Sequence, residues 1–279
     1  MSKILETKIL NYLSYLGDSE YMVEIVTSPG AVDSLIKLLH SDNPEIVSYA
    51  SLFITDFVLS GSRNNICKES WETQLRSKII AELEHLVLIN NHFIRKQVIY
   101  TLGKICSYDS VPVLLQAFHE LRDRDPILLP RLVGELFWLG VENRFDILEI
   151  AIASKHYTTR WAVLELLGEF IYRVPDEEDE TFLMQYKFYE QLRHDSHRFV
   201  KTEAEYKYQI SELNHRKHQE NMSKSEYKKL YRELNKLKPS LTFFGISLQF
   251  CNYMSRNNLS IYTIEELENF IDNKLKQEL

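Results

Sequence analysis

Glycine and proline are scarce in this chain, eight and seven in 279 residues. Long stretches contain neither, which suits helices and starves a β-rich fold of its turns. No stretch alternates apolar and polar residues for more than a few positions, so the period-two signal of a half-buried strand is missing. Cysteine is rare too. Cys67, Cys106 and Cys251 are odd in number, far apart and outside any CxxC. That leaves no disulfide framework and points to a reducing, cytoplasmic compartment. The longest apolar run near the C-terminus, 241–250, is broken by polar residues and too short to span a bilayer. Met1–Leu10 mixes Lys and Glu with apolar residues at helical spacing, an amphipathic first helix and not a signal peptide. GxxxxGK[ST], GxGxxG, GxSxG and HExxH are all absent, which weighs against an enzyme without closing the question. The net charge of −7 is spread without a strong block, which disfavours a globally basic nucleic-acid binder.

What is present is helix, short turn, helix, repeated, clearest over 90–173. Asn91–Gly103, Leu129–Gly140 and Thr159–Gly168 are apolar-periodic segments that each close on Leu-Gly. In the first and third an Arg stands eight residues before that Gly: Arg95 to Gly103 and Arg160 to Gly168. In this frame Ile94 matches Thr159, Val98 matches Val163 and Leu102 matches Leu167; Ile46, Ala50 and Ile54 fit it without the Gly. A second apolar helix follows each turn, and neither partner buries its apolar face alone, so neighbours must stack. The three Gly residues are 37 and then 28 positions apart, too irregular for ankyrin or tetratricopeptide arrays.

The pattern resembles HEAT-type repeats, in the degenerate bacterial form also seen in phycobilin-lyase subunits. It rests on Pro44–Ala50, Ile94-Arg95 with Leu102-Gly103, and Thr159–Ala162 with Leu167-Gly168, and covers roughly 28–173. The resemblance implies an all-α, right-handed α-solenoid of helical hairpins with a C-terminal helical extension. It brings no catalytic residues and no cofactor. The expected division is a solenoid over 1–175 and a C-terminal helical region over 176–279, split by Val174-Pro175 and the acidic run 176–180. Within the second part, residues 201–238 carry ten Lys/Arg against six Asp/Glu, a local +4, and read as a long polar hairpin. Ser223–Glu226 and Thr263–Glu266 are capping-box patterns that start helices, and 241–277 supplies a closing helix pair. Asp42-Asn43-Pro44 and Asp123–Pro126 read as two caps of one kind.

Four constellations are candidates for chemistry. Arg95, Arg131 and Arg160, with Glu135 and Glu165 one turn after the last two, could line one partner-gripping surface flanked by Trp138 and Trp161. The plainer reading, that these charges brace each helix and its neighbour, is the stronger, because helical charge pairs are common and individually weak. A HEAT-like DNA glycosylase would need an Asp beside a cleft Trp and a basic track; the acids nearest the Trp residues here are Glu135 and Glu165. His194/His197 and His215/His218 fall short of the three or four ligands of a metal site. Lys224, Lys228, Lys229 and Arg232, beside Tyr227 and Tyr231, are candidate phosphate contacts. Against that, Tyr227, Leu230, Tyr231 and Leu234 make an ordinary packing stripe. The expected function is a non-enzymatic scaffold, adaptor or inhibitor acting through a concave surface on a protein partner. The alternatives are a nucleic-acid-binding or glycosylase-type protein, and a bilin-lyase-like subunit suggested by the resemblance alone.

Overall fold

The computed structural model describes residues 2–15, 18–61, 76–142, 144–170 and 180–278. Among them are fifteen α-helices and no strand. In chain order these are α1 (Ser2–Asn11), α2 (Ser19–Thr27), α3 (Ala31–Leu39), α4 (Pro44–Gly61), α5 (Arg76–Leu86), α6 (His92–Ile105), α7 (Val111–Leu121) and α8 (Leu129–Trp138). They continue as α9 (Arg144–Ile152), α10 (Tyr157–Phe170), α11 (Glu180–Leu192), α12 (Arg198–Gln219), α13 (Lys224–Asn235), α14 (Phe243–Arg256) and α15 (Ile264–Glu278).

The described chain forms two compact units. The first comprises 1–119 and 134–141; the second comprises 120–133 and 142–279. The boundary expected at 175/176 lies outside the described residues, as does the acidic run up to residue 179.

In the first unit α4 packs along α6 and α3 along α1, α4 and α5. Leu35, Leu39, Phe53, Phe57, Leu83, Val98 and Leu102 fill the core. One polar bridge crosses it: the Thr55 and Thr101 hydroxyls are 2.8 Å apart, and Thr101 also reaches the Ser51 carbonyl. α4 starts as Asp42-Asn43-Pro44 suggests, with the Asn43 side chain accepting from the Glu45 amide at 2.9 Å.

In the second unit α10 packs against α9, α11, α12 and α14, and α12 against α11 and α13. Trp161, Phe188, Tyr189, Phe243, Phe250, Leu267 and Ile271 are fully buried there. Both expected caps form, and the one at Thr263 is a full box. The Ser223 hydroxyl accepts from the Glu226 amide at 3.2 Å, and Thr263 and Glu266 exchange bonds in both directions. Asp125 departs from the expected cap. Its carboxylate makes no cap bond and instead accepts from the Tyr262 hydroxyl at 2.7 Å, tying the 120s turn to the start of α15. A buried acid takes the strongest donor within reach, and here that donor arrives from 137 residues away.

Candidate functional site

The Arg-to-Gly frame recurs as geometry. The Arg95 guanidinium donates to the Ile89 carbonyl at 2.9 Å, and that of Arg160 donates to the Ser154 carbonyl at 2.7 Å, each six residues back. Both arginines thereby close the loop that precedes their own helix. Ile94, Val98 and Leu102 are buried, as are Thr159, Val163 and Leu167. The two glycines also share a job, since each makes room for a charged side chain from another helix. A β-carbon at Gly103 would fall 2.7 Å from Cγ of Glu135 and closer still to its carboxylate. At Gly168 it would meet the Lys207 ammonium at 3.2 Å. Gly140 is different. It lies beyond the end of α8 in the left-handed region, φ 72°, with open space where a side chain would go. The second Leu-Gly is therefore a helix-terminating turn and not a seat.

Arg95, Glu135 and Trp138 belong to the first unit; Arg131, Arg160, Trp161 and Glu165 belong to the second. In the first, Glu135 is buried with the Lys104 ammonium 3.9 Å away. Lys104 also lies 5.1 Å from the Tyr100 ring centre and 5.7 Å from that of Trp138, within cation–π range. Trp138 is 63% exposed, and its indole N–H donates to the Cys106 thiol at 3.3 Å. In the second unit Arg131 is exposed, whereas Arg160 holds Asp195 through two bonds of 2.6 and 3.0 Å. Trp161 is fully buried, stacked on Phe199 at 5.1 Å, and donates to Glu203 at 2.5 Å. The Glu203 carboxylate also accepts from the Phe243 amide at the start of α14, and the Lys207 ammonium lies 3.1 Å away. Lys207 in turn donates to the Leu164 carbonyl and lies 3.8 Å from Glu165. As placed, Glu135, Trp161 and Glu165 meet side chains of other helices, and Arg95 and Arg160 hold the loops beside their own.

Sequence reasoning passed over Glu203, Lys207 and Asp195, which complete this bracing. The one available signal was the i, i+4 spacing of Glu203 and Lys207. It lay in a stretch read as polar and sparsely apolar. Glu135 and Glu165 also meet lysines from other helices, which spacing along one helix does not reveal.

The hairpin α12–α13 is the second candidate. Two tyrosine–asparagine bonds zip it reciprocally. Tyr227 on α13 donates to Asn214 on α12 at 2.7 Å, and Tyr206 on α12 donates to Asn235 on α13 at 3.0 Å. Lys217 lies 4.7 Å from the Tyr227 ring centre, and the Tyr227 and Tyr231 rings stack at 5.9 Å. Partial burial pushes both zipping phenols, Tyr206 and Tyr227, up from the ordinary value. Yet α13 has no buried residue over its whole length. Tyr227, Leu230 and Leu234 are half-buried against α12, Tyr231 is 39% exposed and Leu237 is 62% exposed. Lys224, Lys228 and Arg232 stand exposed at four-residue intervals, one above the other about 6 Å apart along the axis. Lys229 and Lys236 widen this cationic arc, and Glu233, held below the usual carboxylate range by Lys236 at 2.7 Å, bounds it.

Titratable groups also meet in the second unit. The His197 ring stacks on Tyr157 at 3.6 Å, and burial lowers its pKa from the ordinary 6.5 against the opposing pull of Asp195. Burial likewise raises the carboxyl of Glu268 on α15. Among the described residues no group of three or more His, Cys, Asp or Glu is arranged to hold a metal ion, and no helix is long and apolar enough to cross a membrane.

The chain matches no family model, no curated protein and no solved structure.

Proposed function

We propose that the protein is a non-enzymatic binding scaffold, an adaptor or inhibitor of the cytoplasm, built from HEAT-like helical hairpins in a solenoid and acting on a protein partner. The shared geometry of α6 and α10 supports the repeat reading: one reach-back arginine and one glycine seat, 65 residues apart. The observation that carries the binding reading is α13, an amphipathic helix of 12 residues without one buried side chain. A chain that orders such a helix with two side-chain bonds, yet leaves its apolar stripe half-covered, presents a contact surface. The contact therefore lies on the hairpin. Within each unit, the buried members of the Arg/Glu frame act as bracing.

The test is affinity capture of the tagged chain from its native lysate, with and without nuclease, for the unaltered protein and for Lys224→Glu/Lys228→Glu/Arg232→Glu. The expected result is one stoichiometric protein that survives nuclease and is lost with the triple substitution. Capture of nucleic acid that nuclease abolishes, or a protein retained equally by the variant, overturns the reading. The cationic arc is the one observation that favours nucleic acid as the alternative, and the nuclease arm decides it.

A further inference from the structure

Resting on that reading, we infer that the α12–α13 hairpin binds an acidic amphipathic helix of a partner protein, which lies along α13 as the third helix of a bundle. A two-helix hairpin covers an apolar stripe from one side only. Here the stripe faces α12, but its Tyr231 edge remains exposed. On a helical projection of 100° per residue that edge lies next to Lys224, Lys228 and Asn235, while Glu226 and Glu233 fall on the far side of the stripe. An apolar seam flanked by one sign of charge is how helices in bundles and coiled coils select partners. The complementary helix carries apolar residues at i, i+3, i+4 and i+7 and a row of Glu or Asp at four-residue intervals, to meet Lys224, Lys228 and Arg232.

Charge fixes the sign of the occupant. Residues 224–238 hold six Lys/Arg and two Glu, a net +4. The whole chain is −7, and residues 201–238 contribute +4, so the remainder carries −11. A second copy would appose two cationic arcs if the hairpins paired with each other. A nucleic acid fits the sign, but the arc is one helix wide and about 18 Å long. A face that short meets only a few phosphates of any one strand. Nor would a phosphate backbone cover the exposed Tyr231 edge beside those cations. A helix uses both the cations and the stripe.

The probe is a fluorescein-labelled synthetic peptide of about five turns, with leucines at i, i+3, i+4, i+7 and glutamates every fourth residue beside them. Its controls are a scrambled peptide of identical composition and an oligo-dT of equal charge. Binding is read by anisotropy at low and physiological salt, and the peptide's helix content by circular dichroism. The expected result is salt-dependent binding of the patterned peptide with a gain of helix, at least tenfold weaker binding of the scramble, and at least tenfold loss with Lys224→Glu/Lys228→Glu/Arg232→Glu. Tyr231→Ser should weaken binding severalfold while leaving its salt dependence unchanged, because it removes apolar cover and no charge. Equal binding of the scrambled peptide overturns the helix, tighter binding of oligo-dT overturns the protein occupant, and no binding of the patterned peptide overturns the acidic chemistry. The substituted side chains are exposed, so an unchanged melting curve shows that loss of binding is not loss of fold. If lysate capture through the hairpin succeeds while the patterned peptide fails, the binding reading stands and the acidic helix is wrong.

Discussion

Alanine at Gly103 and alanine at Gly168 should move stability in opposite directions, although both glycines sit two residues before the end of a matched helix. On an open helix face, Gly→Ala stabilises by about 1 kcal/mol, because it removes backbone freedom from the unfolded chain. At Gly168 the new methyl meets only the terminal ammonium of Lys207 at 3.2 Å. That end of a flexible side chain can retreat by a few tenths of an ångström, so most of the gain survives and the net effect lies between about 0 and +1 kcal/mol. At Gly103 the methyl would overlap the carboxylate and Cγ of Glu135, a side chain that is buried and set near Lys104. Glu135 must leave its seat, and overpacking of this kind costs about 1–3 kcal/mol. Set against the same helix gain of about 1 kcal/mol, Gly103→Ala destabilises by up to about 2 kcal/mol. The assay is urea denaturation followed by the helical circular-dichroism band, read as midpoint and slope. A double-mutant cycle sharpens it: with Glu135→Ala in place the obstacle is gone, and Gly103→Ala becomes neutral or stabilising. Equal effects at the two glycines, or a coupling between Gly103→Ala and Glu135→Ala near zero, would refute the seat.

Three further expectations follow from the same contacts. Glu203→Ala removes the acceptor for Trp161 and for the first amide of α14 and takes the nearer carboxylate from Lys207, a loss of about 3 kcal/mol in urea denaturation; no loss would show that the buried network is energetically idle. Tyr206→Phe and Tyr227→Phe each delete one hairpin bond, worth about 1 kcal/mol, and should speed amide hydrogen exchange along α13 while leaving α10 unchanged. His197 titrates below its ordinary 6.5 when folded, so the unfolded chain takes up the proton first. Stability should be complete above about pH 6.5 and fall as the pH drops from there toward the lowered folded value; His197→Phe should flatten that part of the stability–pH curve, and an unchanged slope would assign it to another group.

Periodicity and local chemistry were sufficient for the helices. Ala31–Leu39 begins and ends where its apolar spacing does, and α13 and α15 start at the caps of Ser223 and Thr263. These signals are local: a cap bond or a 3.6-residue stripe is written within one turn of chain, so the sequence alone determines it. It also carried the shared frame of α6 and α10, because an arginine that bonds a carbonyl six residues back is likewise a local device. The roles of long side chains were not legible in this way. Glu135 and Lys207 fill glycine seats on other helices, Glu203 joins α10 to α14, and Asp125 gives up its cap for a tyrosine 137 residues away. Nor could the stripe of α13 be told from a core stripe, since Tyr227, Leu230, Tyr231 and Leu234 have the same spacing whether covered or bare. Only tertiary structure decides these points, because the energy of a buried charge or an apolar face depends on which groups from distant parts of the chain come to meet it.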